Sequence, residues 1–386
     1  MKKWLVALTY PDESPGDFGT PVTEGDRRLL ERFKPKIIVS PEGLLPVDFY
    51  GFYLPRTVVR DLERGREVVK RAPSRGFLKG IERDRRYYLD YTGPLFPCEK
   101  PACRDYVATG YGRVLRETAR FRTLKGIKEF PIIVLKYNFA FPFSGAPAEL
   151  GFLKESFLRL FADPVRFHEL DIHGSVQVIL DKEKKPIILL LAEHNYFRSY
   201  VIGKDVPLPG DGRIPVCFAE RSNEPYLCPA GAEPELHRTV GNPMYMSYVI
   251  GGGPAPITSG LDRVYGLKSW GRPVRYELKF LPARDPLYVS WIPLGDRKKI
   301  LFFKTFYRNG PPGMDLNTHP ELKLYGDMAQ FWYLRDGSAE DASLMKRAFR
   351  SFTDVDVETV LEHNGARLYN DVLGAGIAGA RQRGAQ

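Results

Sequence analysis

The sequence contains no run of about 18 consecutive apolar residues, the length a helix needs to cross a bilayer, so no transmembrane helix is expected. Its start, MKKWLVALTYP, has the two lysines and apolar run of a signal peptide. The run WLVAL is short, however, and no small-residue cleavage site follows, so Lys3 to Tyr10 reads as a first strand.

Catalytic signatures are equally scarce. No GxSxG elbow surrounds a serine, and His168-Glu169 continues as Leu-Asp-Ile-His173, the wrong spacing for an HExxH helix. The run Gly251-Gly252-Gly253 lacks both the P-loop lysine and a strand-GxGxxG-helix context, and reads as a turn. There is no RNP pattern, zinc-knuckle spacing or recognition helix, so nucleic acid is not an expected partner. No internal repeat of fixed period is found.

Cysteine is sparse too. The four cysteines fall into two local pairs, Cys98 with Cys103 in CEKPAC and Cys217 with Cys228 in CFAERSNEPYLC. Neither pair has CxxC spacing, so local disulfides are expected ahead of a zinc site, and with them a periplasmic or extracellular location. Oxidised pairs would leave no cysteine nucleophile.

Turn residues and sheet formers are abundant by contrast. Thirty-six glycines, 32 prolines and 13% aromatic residues favour β-sheet over a helix bundle. The formal charge is +10, and from Gly51 to Asp90 eleven Lys or Arg are interleaved with six Asp or Glu, a surface suited to an anionic partner.

Along the chain, Thr23 caps a short helix from Glu24 to Phe33 with Leu29, Leu30 and Phe33 on one face. Lys36 to Ser40 is a strand ended by Pro41. Residues 44 to 95 read as short strands, Arg113 to Arg122 as helix or strand, and Phe130 to Phe139 as a strand. Pro147 to Phe161 has helical spacing, stops at Asp163-Pro164, and is expected to pack on the hairpin that follows. After Arg198 come strands at 199–202 and 214–220, then an irregular stretch to Gly253 carrying Arg221, Glu224, His237 and Arg238. A meander of Val274 to Leu281, Leu287 to Pro293 and Lys299 to Tyr307 follows, with LGDRK as its last turn. Leu322 to Leu334 is a further strand. Helices at 338–349 and 357–363 precede a small, basic tail from Gly374. The fold class is therefore α+β, mainly antiparallel β of meander or sandwich type, with a few packed helices and a helical C-terminal segment. Residues 1–140 form an N-terminal β-rich region and 141–386 the meander with its helices, in one continuous domain or two.

The strongest local signal is the hairpin His168 to Arg198, which holds three of the six histidines. Even positions from Leu170 to Leu180 are Leu, Ile, Gly, Val, Val and Leu; odd positions from Glu169 to Gln177 are Glu, Asp, His, Ser and Gln. That alternation gives one apolar and one polar face. The charged turn Asp181 to Lys185, centred on Glu183 and Lys184, pairs residues whose numbers sum to 367. It sets Ile179 against Ile188, Gln177 against Leu190, His173 against His194, Asp171 against Tyr196 and Glu169 against Arg198, all on one face.

Two chemistries suit that face. His173 and His194 with Asp171 or Glu169 make a nitrogen and oxygen donor set for a divalent transition metal, which activates water or oxygen. Without a metal, His173 or His194 is the general base, Tyr196 the acid, and Arg198 neutralises a substrate carboxylate, the arrangement a lyase on anionic polysaccharide requires. The expectation is an exported enzyme, a hydrolase, oxidoreductase or lyase, acting on an anionic small molecule or polysaccharide. The alternative is a non-catalytic exported binding or structural β-protein.

Overall fold

The computed structural model describes residues 22–64, 66–81, 84, 86–93, 106–123, 126–145, 147–149, 170, 176–193, 196–203, 205–238, 261–281, 285–289, 294–300 and 303–309. These residues are mostly strands in several mainly antiparallel sheets, with few helices. The Lys3–Tyr10 strand, the Cys98–Cys103 pair, the Gly251–Gly253 turn, the Leu322–Leu334 strand, the two C-terminal helices and the tail lie outside the described residues.

Helix α1 (Glu24–Arg32) begins where the sequence places it, because Thr23 and Asp26 form a reciprocal capping box. Thr23 Oγ1 accepts from the Asp26 amide at 3.2 Å and Asp26 Oδ2 accepts from the Thr23 amide at 3.0 Å. Strand β1 (Lys36–Val39) follows at once. It lies between β10 (Pro215–Phe218), with which it runs parallel, and β14 (Arg272–Val274); β11 (Pro225–Leu227) completes a four-stranded sheet. The Cys217–Cys228 disulfide ties β10 to the residue after β11.

A six-stranded sheet packs against this one. Its order is β15 (Glu277–Lys279), β5 (Thr109–Thr123), β6 (Gly126–Phe139), β7 (Val176–Leu180), β8 (Pro186–Glu193) and β9 (Tyr196–Val201). Leu135, Tyr137 and Phe139 of β6, Val176, Val178 and Leu180 of β7, and Leu189 and Leu191 of β8 meet Ile37, Val39, Val216 and Phe218 of the facing sheet, with Leu30 of α1 and its C-cap Phe33 at the side. The described part of the hairpin's apolar face is thus covered by a sheet and α1. Pro147 to Glu149 is not helical, because Glu149 exchanges backbone hydrogen bonds with Leu261 at 3.0 and 2.8 Å; residues 150–161 lie outside the described residues.

A five-stranded sheet runs β17 (Phe303–Asn309), β16 (Leu294–Ile300), β4 (Tyr87–Tyr91), β2 (Thr57–Asp61) and β3 (Glu67–Arg71). A two-stranded pair joins β12 (Glu235–Arg238) to β13 (Leu261–Val264). Strands from both sides of residue 140 share each of the three larger sheets.

The expected meander is broken in three places. Val274 to Leu281 is not one strand: its ends join different sheets as β14 and β15, and between them the Tyr276 hydroxyl donates to the Pro35 carbonyl at 2.9 Å. Pro286–Val289 is a short helix, with the Asp285 carboxylate accepting from the Leu287 amide at 2.9 Å. The LGDRK segment is strand, not turn, since Asp296 pairs with Tyr307 and Lys298 with Thr305. Pairing with β4 and β17 on either side outweighs the poor strand propensity of its Gly and Asp.

Candidate functional site

The register expected for the hairpin holds where β7 and β8 are described. Val176 opposes Leu191, Gln177 opposes Leu190 and Ile179 opposes Ile188, each pair summing to 367. A bulge then shifts Leu180 onto Pro186. Its origin is the turn: Lys184 adopts φ of 64°, and Asp181 Oδ1 accepts from the amides of Glu183 and Lys185, both at 2.9 Å.

The odd residues of β7 therefore occupy the sheet face turned away from the sandwich core. The same face carries the even residues of β6 and the odd residues of β5. At the level nearest the β7–β8 turn it is apolar, with Leu115, Val134, Ile179 and Ile188 in one cross-strand row. The next row is Arg113, Lys136, Gln177 and Leu190; the one after it holds Lys279, Tyr111 and Asn138. Three adjacent strands thus change from aliphatic to polar at one level.

This polar row is buried. Lys136 and Asn138 are each 1% exposed, Gln177 0% and Arg113 6%. Burial pushes the Lys136 ammonium down to about 7, and the neighbouring Arg113 charge pushes the same way. Asn138 has neither its amide nitrogen nor its oxygen hydrogen-bonded among the described residues. A buried amide left unsatisfied costs about 1–3 kcal/mol, and that cost is recovered by any polar group that reaches it.

Beside Asn138, Tyr111 donates to Asp48 Oδ1 at 2.8 Å and accepts from the Phe49 amide at 2.8 Å. Lys279 Nζ reaches Asp48 Oδ2 at 2.6 Å. Further out, the Tyr50 hydroxyl donates to Asp285, which also pairs with Arg75. Burial holds Asp285 above the ordinary carboxylate range against the opposing pull of Tyr50, the Leu287 amide and Arg75.

Of the residues expected to form the site, Glu169, Asp171, His173 and His194 lie outside the described residues. Tyr196 and Arg198 are described in backbone register alone, and that register corrects their partners. The return strand does not continue to Arg198. It ends at Glu193, which pairs directly with Tyr196 across a two-residue connection. Tyr196 therefore opposes Glu193, not Asp171, and Arg198 opposes Leu191, not Glu169. The turn-forming Asn195 in that connection is the sequence feature that announces the reversal. Leu191 belongs to the row packed in the sandwich core, whereas Gln177 and Leu190 belong to the other. The cations on the polar row are Arg113 and Lys136, from strands with no histidine to attract notice.

A second polar cluster arises in the stretch read as irregular. Asp262 is fully buried, accepting from Ser222 Oγ at 2.6 Å and from the Tyr226 hydroxyl at 2.9 Å. His237 opposes Asp262 in the β12–β13 pair and stacks on Tyr226 with ring centroids 4.5 Å apart. Burial raises the Asp262 carboxyl to about 6, and the two hydroxyl donors hold it from rising further. Among the described residues, no group of three or more His, Cys, Asp and Glu side chains is placed to hold a metal, and no helix is long and apolar enough to cross a membrane.

No family model matches the sequence, and no curated protein matches it. Among solved structures the chain is similar to one described as NLPPya in complex with glucosamine, at 14% identity over 74% of this chain and 85% of that chain, with a TM-score of 0.29. A likeness that distant assigns neither family nor function.

Proposed function

We propose that the protein is an exported enzyme acting on an anionic substrate, with its active face at the polar end of the six-stranded sheet's outer face. The observation that supports this reading is the buried row of Arg113, Lys136 and Gln177, with the unsatisfied Asn138 beside it. Arg113 and, in its protonated form, Lys136 set side by side in a low-dielectric interior raise the affinity of that level for an anion, and a bound anion in turn favours the Lys136 ammonium. Export is supported by the Cys217–Cys228 disulfide, a bond that persists in oxidising compartments.

In the acid–base form of the reading, Arg113 and Lys136 provide the field that stabilises a substrate carboxylate, and His173 or His194 removes the proton on the adjacent carbon. The C–H electron pair becomes a C=C bond, the glycosidic oxygen departs with its bonding pair, and it takes a proton from a general acid. In the metal-assisted form, His173, His194 and Asp171 or Glu169 would hold a divalent transition metal, which would supply an activated water or oxygen. The non-catalytic alternative is favoured by one observation: Lys136 is closed to solvent. Turnover of uronate polymers and metal content of the purified protein separate the readings. Elimination lost in His173→Ala and Lys136→Met supports the first form, and stoichiometric metal lost in His194→Ala supports the second. No turnover on any anionic substrate, with no bound metal, leaves the binding protein.

A further inference from the structure

The segment from Gly266 to Gly271 is a closed turn. The Gly271 amide donates to the Gly266 carbonyl at 2.8 Å and the Ser269 amide donates to it at 3.2 Å, while the buried Ser269 Oγ accepts from the Gly266 amide at 2.7 Å. Neither glycine tolerates a side chain: a Cβ on Gly266 would run into the Pro229 carbonyl, and one on Gly271 would lie 2.7 Å from both the Gly266 carbonyl oxygen and Ile38 Cγ2. This well-fixed turn points apolar groups outward, with Trp270 83% and Leu267 61% exposed and Lys268 between them. Trp270 has φ of 70°, in the left-handed region that favours glycine, so the position holds a bulky aromatic against backbone preference.

Leu267 also lines a groove of about 290 Å³ whose cations are Lys34, Lys36, Arg213 and Arg275, with Tyr276 as an aromatic wall and no carboxylate among its described lining residues. Lys36 is engaged by Asp211 at 2.9 Å, Lys34 donates to the Tyr276 carbonyl at 2.6 Å and lies 4.0 Å from the Glu31 carboxylate, and Arg213 reaches the Glu31 carbonyl at 3.2 Å, which leaves Arg275 as the cation open to a ligand. Arg275 has no side-chain partner among the described residues. A cationic groove calls for an anionic ligand, and one this small takes a short stretch of a chain, not a large surface. A single exposed indole on the same turn suits the C–H face of a sugar ring.

We infer that the Gly266–Gly271 turn and the adjoining groove form a binding subsite for an anionic polysaccharide, with Trp270 stacking on a sugar ring and Arg275 pairing with its carboxylates or sulfates. The ligand class is shared with the proposed function, but the site is separate and is read by binding alone.

The test is equilibrium binding of a fluorescent oligogalacturonate and of a heparin oligosaccharide, with neutral dextran and phosphatidylserine vesicles as comparison ligands. Trp270→Gly relaxes the left-handed backbone, so its thermal midpoint holds or rises while affinity for the anionic oligosaccharides falls at least tenfold. Arg275→Ala weakens binding and flattens its salt dependence, and Lys182→Ala, at an exposed cation on the β7–β8 turn, leaves it unchanged. Undiminished affinity in Trp270→Gly overturns the inference, as does equal binding of dextran or preference for the vesicles. If Lys136→Met loses binding and Trp270→Gly keeps it, the polymer sits on the sheet face: the subsite is then wrong and the proposed function stands.

Discussion

Lys136 and Arg113 oppose each other directly across β6 and β5, both buried, with Gln177 facing Lys136 from β7. This cationic pair gives the outer face of the sheet its chemical character, and its proton is open to measurement.

Lys136 sits at about 7 in the folded protein against an ordinary value of 10.5. Below pH 7 the ammonium is charged in folded and unfolded chains alike, and the folded state bears the whole cost of burying it. Between the two values the unfolded chain keeps a proton that the folded protein has released. Stability therefore rises with pH across that window, by at most about 1.4 kcal/mol per pH unit from this one group. Denaturant midpoints at pH 6, 8 and 10 should climb in the wild type relative to Lys136→Met; parallel curves would show that Lys136 titrates normally.

Asp262 works in the opposite sense. Its carboxyl is raised from 3.8 to about 6, so between those values the folded protein holds a proton that the unfolded chain has lost. Its contribution to stability is present at the acid end and declines as pH rises through the window. Asp262→Asn should abolish that decline in a thermal series from pH 4 to pH 7. Tyr226→Phe, which removes a donor to the carboxylate, should destabilise at pH 7 by about 1–2 kcal/mol and move the titration upward.

The Cys217–Cys228 bridge closes a loop with a sequence separation of 11. Replacing both cysteines by alanine should cost about 3 kcal/mol and lower the thermal midpoint without changing the unfolding cooperativity. Thiol counting on unreduced, denatured protein checks the same bond. Finding Cys217 and Cys228 free would remove the argument for export.

The two residues between Glu193 and Tyr196 offer a test that separates fold from site. Asn-Gly in place of His194-Asn195 suits a two-residue hairpin connection, so thermal stability should hold or improve slightly. If the metal scheme is right, bound metal should nevertheless disappear. Metal retained in that variant would rule out His194 as a ligand.

How much of this is legible in the sequence depends on the local signal. The cap at Thr23 and the alternation from Val176 to Leu180 are short-range, and both appear as read. The second reversal after Glu193 is missed because Glu193-His194-Asn195 also reads as the polar end of one continuing strand, and only the turn propensity of Asn195 marks the break. The split between β14 and β15 is invisible for another reason: strand propensity does not say which sheet a strand joins. Arg113 and Lys136 escape notice because a charged residue on a strand normally reads as the solvent face. Only pairing with Gln177 reveals that both faces of the sheet are buried.

The central claim, that the Arg113–Lys136–Gln177 face serves an anionic substrate, is tested most directly by turnover of uronate polymers, followed through the absorbance of the unsaturated product. The wild type should turn over such a polymer, and Lys136→Met, shown to be folded by its thermal transition, should lose at least a hundredfold in kcat/KM. Full turnover in Lys136→Met would contradict the account.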